Sequence, residues 1–545
     1  MRTLSDILIK DLMDKGFKTF FGLQGGASAR IIESVVKLGG KFHPVLNEQA
    51  AGYAAHGYFL TNNKPAGLIF TTGPGLTNGV SGIAACYYDR VPLTVIVGQV
   101  AKDNNIAKQT KTRMVGFQEV QHLDITKPIS DLSFKISSLK DYKKNRSKIF
   151  DHKFKKKISI FEFPDDVQRE KTNFLSKFKN LKEINSLKIE SNKQRLIKKY
   201  FNKSKKTMFI LGFGFVQSQK VKKSLAILKK NKSNISLTWG AQSIQKYKNY
   251  STMGLFGNHS PGKANYALKD ADLVVSLGAS LLQHQTLKIK NNFAKNAKII
   301  FVNSSLNECR RAKKQFGKRL EFINMDCHEF LKNKKIQKIL KDSSKNKFDL
   351  EIFTHNNITP VKTLKNFFES INPDKSIIFS DAGATLSWSY QAANLLKRCA
   401  PIYTSYNLHT MGYANCAGVG GAIEKNKDIY VVIGDGSLPM NSQELAWLSQ
   451  FKIKLIIIDN KGYGIIRQTQ REFYSSFFLA SDFKNKKSKL PNFSVSKILK
   501  SFDIKHDFLV SNRINQNLIR KFLKDKISRA VIIKTNYLAE VETDN

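Results

Sequence analysis

Cysteine is scarce. The 545 residues contain five, Cys86, Cys309, Cys327, Cys399 and Cys416, far apart and without a CxxC pair. Such spacing points to neither a zinc site nor a disulfide framework. Long apolar runs are missing too, and none approaches the ~20 residues of a membrane helix. The opening stretch, MRTLSDILIKDLMDKG, carries charges throughout, unlike the uninterrupted apolar core of a secretory signal. The chain therefore reads as soluble and cytoplasmic, with no membrane partner. Acidic residues are few, 43 Asp+Glu against 90 Lys+Arg, for a formal net charge of +47. Hydrophobic residues at 41% and 32 glycines supply ample core-forming material, which excludes disordered, collagen-like and disulfide-scaffold classes.

The basic excess raises a nucleic-acid reading, because such a surface attracts phosphate without sequence preference. Its placement argues against one. The lysines gather in polar stretches at 140–157, 193–206, 332–347 and 484–489. By contrast, 66–101 contains only Arg90, and 399–424 contains neither Lys nor Arg. Charge runs of this kind are solvated faces. No specific nucleic-acid partner is expected.

Apolar spacing predicts an alternation of helices and strands. Leu4, Ile7, Leu8 and Leu12 recur at helical spacing after Thr3, a capping residue. Runs rich in β-branched residues read as buried parallel strands. In the first third these are 19–22, 68–72 and 93–97; in the middle, 208–211, 273–277 and 299–302; in the last third, 377–380, 429–433 and 455–458. Lys-rich text at about 172–206 and 331–348 reads as linkers. The expectation is α/β: three consecutive domains, 1–172, 190–335 and 355–545, with mostly parallel sheets covered by helices.

Three motifs carry chemistry. Gly434-Asp435-Gly436-Ser437 follows one strand and Asp459-Asn460 follows another. In an open α/β sheet, ligands bind beyond the carboxyl ends of the strands. A carboxylate oxygen and an amide oxygen there suit Mg²⁺ shared with substrate phosphates. The glycines allow close backbone approach, and 437–447 reads as a helix offering N–H groups to an anion. The plainer alternative for the Asp-Gly pairs is an ordinary turn. Glu48 opens an Ala/Gly-rich helix in NEQAAGYAAHGY; it is either a charge favoured by the helix dipole or a buried acid with a raised pKa, suited to proton traffic. Gly73-Pro74-Gly75 is either a tight turn or a close backbone approach to a ligand.

In order and separation these motifs resemble those of the thiamine-diphosphate-dependent decarboxylases and carboligases, and most closely acetolactate synthase large subunits. Matching text includes FGLQGGAS, TTGPGLTN, YDRVPLTVIVGQV, GFQEV, DITKPI and FEFPDDVQ toward the N-terminus, and DAGAT, TMGYA, GDGSLPMNSQELA and DNKGYGIIRQTQ toward the C-terminus. The resemblance implies thiamine-diphosphate-binding folds with six-stranded sheets at both ends and a Rossmann-like domain between them. It implies thiamine diphosphate and Mg²⁺ as cofactors, with Asp435, Asn460 and the Gly462 carbonyl on the metal. Gly73, Asn78, Thr385, Gly434, Gly436 and Ser437 would bind the cofactor. Glu48 would activate it through its aminopyrimidine ring, and Met411 would support its bent form. Gly25, Phe117 and Gln118 would lie near the reacting carbon. In this family the glutamate and the metal site come from different subunits, which implies a homodimer or tetramer with active sites at the subunit interface. The implied activity is decarboxylation of pyruvate or a similar 2-oxo acid followed by carboligation.

Departures from the family text leave alternatives open. Asp459 replaces the first of a paired Asn-Asn, Gln24 replaces a proline, Ala384-Thr385 replaces a Gln-His, and Thr469 replaces a tryptophan. That last change resembles relatives that transfer a pyruvate-derived two-carbon unit to a keto sugar in surface-sugar pathways. No His-His pair of the kind decarboxylases use for proton delivery is present. The Arg and acidic residues that hold FAD in acetolactate synthases read here as Gly278-Ala279-Ser280 and Asn303-Ser304-Ser305, which leaves FAD open, as are the second substrate and any regulatory subunit. A non-catalytic basic binding protein on this scaffold is the remaining alternative.

Overall fold

The computed structural model describes residues 2–150, 157–174, 189–286, 293–342, 348, 359–474, 478–484 and 486–543. Parts of the Lys-rich runs at 140–157, 332–347 and 484–489, and of the linkers read at 172–206 and 331–348, lie outside these residues.

Three six-stranded sheets, all parallel, follow one another along the chain. The first contains β1 (Thr19–Gly22), β2 (Lys41–Pro44), β3 (Ala66–Phe70), β4 (Leu93–Gln99), β5 (Leu132–Lys135) and β6 (Ile158–Pro164), in spatial order β2-β1-β3-β4-β6-β5. The second contains β7 (Thr207–Leu211), β8 (Asn234–Leu237), β9 (Gly254–Leu255), β10 (Leu273–Leu277), β11 (Lys298–Asn303) and β12 (Leu320–Asn324), ordered β9-β8-β7-β10-β11-β12. This is the strand order of a dinucleotide-binding fold. The third contains β13 (Ser376–Ser380), β14 (Ile402–Tyr403), β15 (Asp428–Gly434), β16 (Ile453–Asp459), β17 (His506–Val510) and β18 (Arg529–Lys534), ordered β14-β13-β15-β16-β18-β17. The outer sheets thus share one topology, distinct from that of the middle sheet.

The nine strands read from apolar runs all appear. The others are mostly short or lie toward sheet edges, where one face meets solvent and the apolar run is broken. His506–Val510, with Leu509 its one buried residue, is an example. Two linker readings are corrected. Residues 191–203 form a helix that buries Ile197 and Phe201, and 334–342 form a helix that buries Ile336, Ile339 and Leu340. In each case apolar residues three to four apart make one packed face despite the surrounding lysines. Thr3 caps the helix Leu4–Asp14 through a reciprocal pair of bonds with Asp6.

Two helices join the outer domains. α1 (Glu48–Asn62) packs on α2 (Pro74–Tyr88) within its own domain and on α4 (Tyr413–Ala422), while α3 (Ala384–Asn394) follows β13. α1 and α4 are almost wholly buried and rich in Ala and Gly. Their backbones meet where a methyl group on Gly57 would strike the Ala417 carbonyl and one on Gly420 the Ala54 carbonyl. One apolar core therefore runs from the first sheet through this crossing into the third. All five cysteines are buried, and none forms a disulfide. Among the described residues, no helix is long and apolar enough to cross a membrane.

Candidate active site

β13, β15 and β16 are neighbours, and their carboxyl ends carry Asp381, Asp435 and Asn460 side by side. Chain reversal between β13 and β15 opens a crevice there, the usual ligand position in such sheets. Asp435 is 2% exposed, and its Oδ2 accepts the Gly462 N–H at 3.0 Å. Burial, and next the adjacent Asp459, push its carboxyl up to about 7. The Asn460 amide stands 2.9 Å from the Gly462 carbonyl oxygen and 3.2 Å from Asp435 Oδ1. With its oxygen in that place, a carboxylate, an amide and a main-chain carbonyl converge with no proton among them. Such a set is stable around a hard cation and fits Mg²⁺. Turned over, the amide donates to both oxygens and closes the point on itself. Among the described residues there is no cluster of three His, Cys, Asp or Glu, so a metal here depends on this mixed oxygen set.

The loop that forms this point is held from behind. Arg467, on α5 (Gly464–Phe473), is 2% exposed and donates to the carbonyls of Asn460, Lys461, Ser481 and Tyr537 at 2.8–3.0 Å. Its guanidinium also stacks on Tyr537. Asp381, fully buried, accepts the N–H groups of Ala382, Gly412 and Ala414. Burial pushes its carboxyl up to about 6, against the pull of these bonds. Asp381 thereby fixes the turn that presents Met411. α3 begins on Gly383 (φ 88°) without a side-chain cap, leaving its first-turn N–H groups for an anion. The segment read as a helix from 437 is instead a 3₁₀ stretch, Leu438–Ser449, kinked at Asn441. Asn441 leaves helical geometry there, and its amide bonds Gln49 and the Gly412 carbonyl.

A cavity of about 1570 Å³ opens on this point. Thr385, Met411, Gly434, Gly436, Ser437, Asn460 and Gly462 line it, together with residues of the middle domain and Tyr87, Tyr88 and Arg90. Among the described residues its cationic lining side chains are Arg90 and Lys157.

The remaining candidates form a second group in the first domain, off the wall of that cavity. Glu48, 6% exposed, opens α1 behind the Asn47 cap and accepts from the Asn78 amide at 3.1 Å. Glu444 of the third domain accepts the Leu46 and Asn47 N–H groups, which ties this corner to the kinked stretch. Gly73 (φ 65°) starts α2, and a Cβ there would meet the Gln118 carbonyl at 2.9 Å. Gln118 is itself left-handed (φ 61°), and Phe117 beside it is 82% exposed. Gly25 packs against Thr71 with no room for a side chain.

Buried groups that no local motif announces hold this corner. Gly73 N–H donates to His122 Nε2 at 3.0 Å, which places the ring proton on Nδ1, 3.2 Å from Glu162 Oε2. Gln99 accepts from Thr72 and donates to the Val120 carbonyl. Glu119 gathers the N–H groups of Ala107, Val115 and Gly116. Burial opposes its charge, but those donors outweigh burial and hold its carboxyl below the ordinary range.

Two topologically identical outer domains, an oxygen-lined point beside glycine-rich turns and a buried glutamate on the opposite domain define a cofactor enzyme of the thiamine-diphosphate class. Family models agree. The thiamine pyrophosphate enzyme N-terminal TPP binding domain matches residues 2–124, the central domain 195–332 and the C-terminal TPP binding domain 381–539. The chain belongs to the thiamine-diphosphate-dependent enzymes. It is 28% identical over 518 residues to the acetolactate synthase large subunit of Lactococcus lactis, covering 92% of this chain and 87% of that one. It is 27% identical to the acetolactate synthase isozyme 2 large subunit of Escherichia coli, over 86% and 84% of the two chains. In fold it is similar to a thiamine diphosphate-dependent 4-hydroxybenzoylformate decarboxylase of Rhodococcus jostii, with a TM-score of 0.77, 15% identity, and coverage of 98% and 99%.

Proposed function

We propose that this protein is a thiamine-diphosphate- and Mg²⁺-dependent carboligase that decarboxylates pyruvate or a similar 2-oxo acid and joins the remaining fragment to a second carbonyl compound. The main support is that Asn460 and Gly462, with Asp435 Oδ1 against the Asn460 amide, stand on one cavity with Thr385, Met411 and Ser437. Likeness to acetolactate synthases over most of the chain supports the donor class.

In this reading Asp435, Asn460 and Gly462 hold Mg²⁺, while Gly434, Gly436, Ser437, Thr385 and the uncapped start of α3 hold the diphosphate. Bound thiamine diphosphate supplies the electron sink for cleavage between the 2-oxo carbon and the carboxyl group. Met411 supports the cofactor's rings from a turn that Asp381 fixes. Glu48 holds and releases a proton, with Oε2 bonded to Asn78 and the other oxygen left for exchange. Gly25, Phe117 and Gln118 border the reacting carbon. Because Glu48 stands off the cavity wall, a second copy of the chain completes each site, which makes the working unit a homodimer or larger.

FAD is not part of this reading. Of the places where the resemblance puts it, Ser280, Ser304 and Ser305 line the large cavity, and the crevice at the ends of β7, β8, β10 and β11 holds a further 120 Å³ or so. Phe213 and Tyr406 pack together on its wall, and Asn303 spends its amide on the Ala279 carbonyl and the Ser305 N–H.

The test is release of ¹⁴CO₂ from [1-¹⁴C]pyruvate by the purified chain with thiamine diphosphate and Mg²⁺. EDTA should abolish it and Mg²⁺ restore it. No release from pyruvate or 2-oxobutyrate overturns the reading.

A further inference from the structure

The strand end that carries Asn460 also carries Asp459, a side chain that the assigned cation set leaves out. Asp459 closes β16 and is 7% exposed. Its Oδ2 accepts from the Lys461 ammonium at 2.7 Å, while its Oδ1 is buried and has no hydrogen-bond partner among the described residues. The same carboxyl lies within hydrogen-bonding reach of that of Asp435. Lys461 sits in the left-handed region (φ 61°), with most of its side chain in solvent.

Two ionised carboxyls that meet in this way cannot satisfy each other, because neither brings a donor. An amide at 459 would hand an N–H to Asp435 and close the contact. With Asp459 in place, something positive must stand among the oxygens. A single proton joins one pair of them and leaves the Gly462 carbonyl and the Asn460 amide oxygen facing each other. A divalent cation can be shared by the carboxylates, the amide oxygen and the carbonyl, an all-oxygen set of the kind hard cations prefer. The surrounding charges permit it. Lys461 on Asp459 and Arg467 beside Asp435 bring two positive charges against two negative ones. The point is therefore balanced before any ligand arrives. An amide at 459 would leave it net positive, and a cation would be repelled until an anion joined it. Elsewhere a net charge of +47 discourages cations, so a tightly bound divalent ion would mark a local site.

We propose that Asp459 makes this strand end a divalent-cation site in its own right, which fills in the cofactor-free chain and receives the diphosphate second. This rests on the metal and cofactor assignment of the carboligase reading. Cation-first order has a structural use. The ion keeps the Asn460 oxygen turned inward and prevents the amide from closing the point on itself, so the diphosphate meets a formed site.

The experiment uses the full chain stripped of cofactor and metal, with Mn²⁺ as the probe and its free fraction read by electron paramagnetic resonance. The natural chain should bind one Mn²⁺ with submillimolar affinity in the absence of any diphosphate, and Mg²⁺ should displace it. Asp459→Asn, which keeps the shape and supplies the missing donor, should weaken that binding about ten-fold or more. Thiamine diphosphate should then tighten Mn²⁺ binding more in Asp459→Asn than in the natural chain, a coupling that a merely structural role would not move. Lys461→Gln removes the solvent-side charge and should tighten cofactor-free binding about three-fold or more. A cofactor-free natural chain that binds no Mn²⁺, or an Asp459→Asn chain that binds it equally well, overturns the inference. Should Asp459→Asn fail to fold, unchanged or weaker binding in Lys461→Gln does the same. CO₂ release by a chain that takes up Mn²⁺ only with the diphosphate overturns this inference and leaves the carboligase reading standing. The expected Mn²⁺ binding without CO₂ release from any 2-oxo acid supports the cation site and overturns the carboligase reading.

Discussion

Glu48 and Glu444 are buried carboxyls at one corner with different duties. Glu48 is assigned proton exchange with the cofactor, so Glu48→Gln should leave cofactor affinity within a few-fold while lowering CO₂ release ~10²–10⁴-fold, the usual worth of a positioned acid–base group. Cofactor titration beside turnover checks both halves, and near-normal turnover would remove the assignment. Glu444 is structural. Burial pushes its carboxyl up to about 7, from an ordinary value of 4.5. The folded chain therefore keeps a proton that the unfolded chain has lost between those values, and stability falls as pH rises through that window. Glu444→Gln accepts the same two N–H groups and cannot ionise. Its thermal midpoint relative to the natural chain should rise between pH 5 and pH 8, by an amount on the order of 3 kcal/mol in stability. A difference that stays flat with pH would contradict this. Asp435, Asn460 and Glu48 are legible in the sequence because each sits in a short run whose glycines and polar residues mark a strand end or helix start. Asp381, His122, Glu162 and Arg467 are not, since each works on atoms brought near by the fold.

Among the elements, the crossing of α1 on α4 is a backbone-to-backbone joint between the outer domains. Both helices are buried on nearly every side, so hydrophobic spacing marks neither as an interface; their Ala/Gly content is the sign, and its meaning depends on the partner helix. A methyl group on Gly57 or Gly420 would meet a facing carbonyl, whereas one on Gly26 meets nothing within 4 Å. Gly57→Ala and Gly420→Ala should each lower stability by about 1–3 kcal/mol or more. Gly26→Ala should stay within about 0.5 kcal/mol. Chemical denaturation followed by tryptophan fluorescence separates the two outcomes, and equal tolerance at all three sites would contradict the packing described. Central strands were legible for the opposite reason: buried on both faces, they read as unbroken apolar runs. Amphipathic helices at 191–203 and 334–342 were hidden because lysine density outweighs a two- or three-residue apolar face.

For the whole molecule, the net charge of +47 describes the outside more than the site. Among the described residues two cationic side chains line the large cavity, and phosphate is assigned to backbone, hydroxyl and metal. The cavity carries one half of the proposed machinery and the first domain carries the other, so activity should belong to a pair of chains. Glu48→Gln and Asp435→Ala chains, differently tagged, can be co-expressed and the mixed dimer isolated by tandem affinity. In that dimer one site gathers both substitutions and the other neither. CO₂ release from pyruvate should return to roughly half that of a natural dimer carrying the same two tags, while either variant alone is inactive. A mixed dimer as inactive as its parents, beside an active doubly tagged natural dimer, would contradict a site shared between chains.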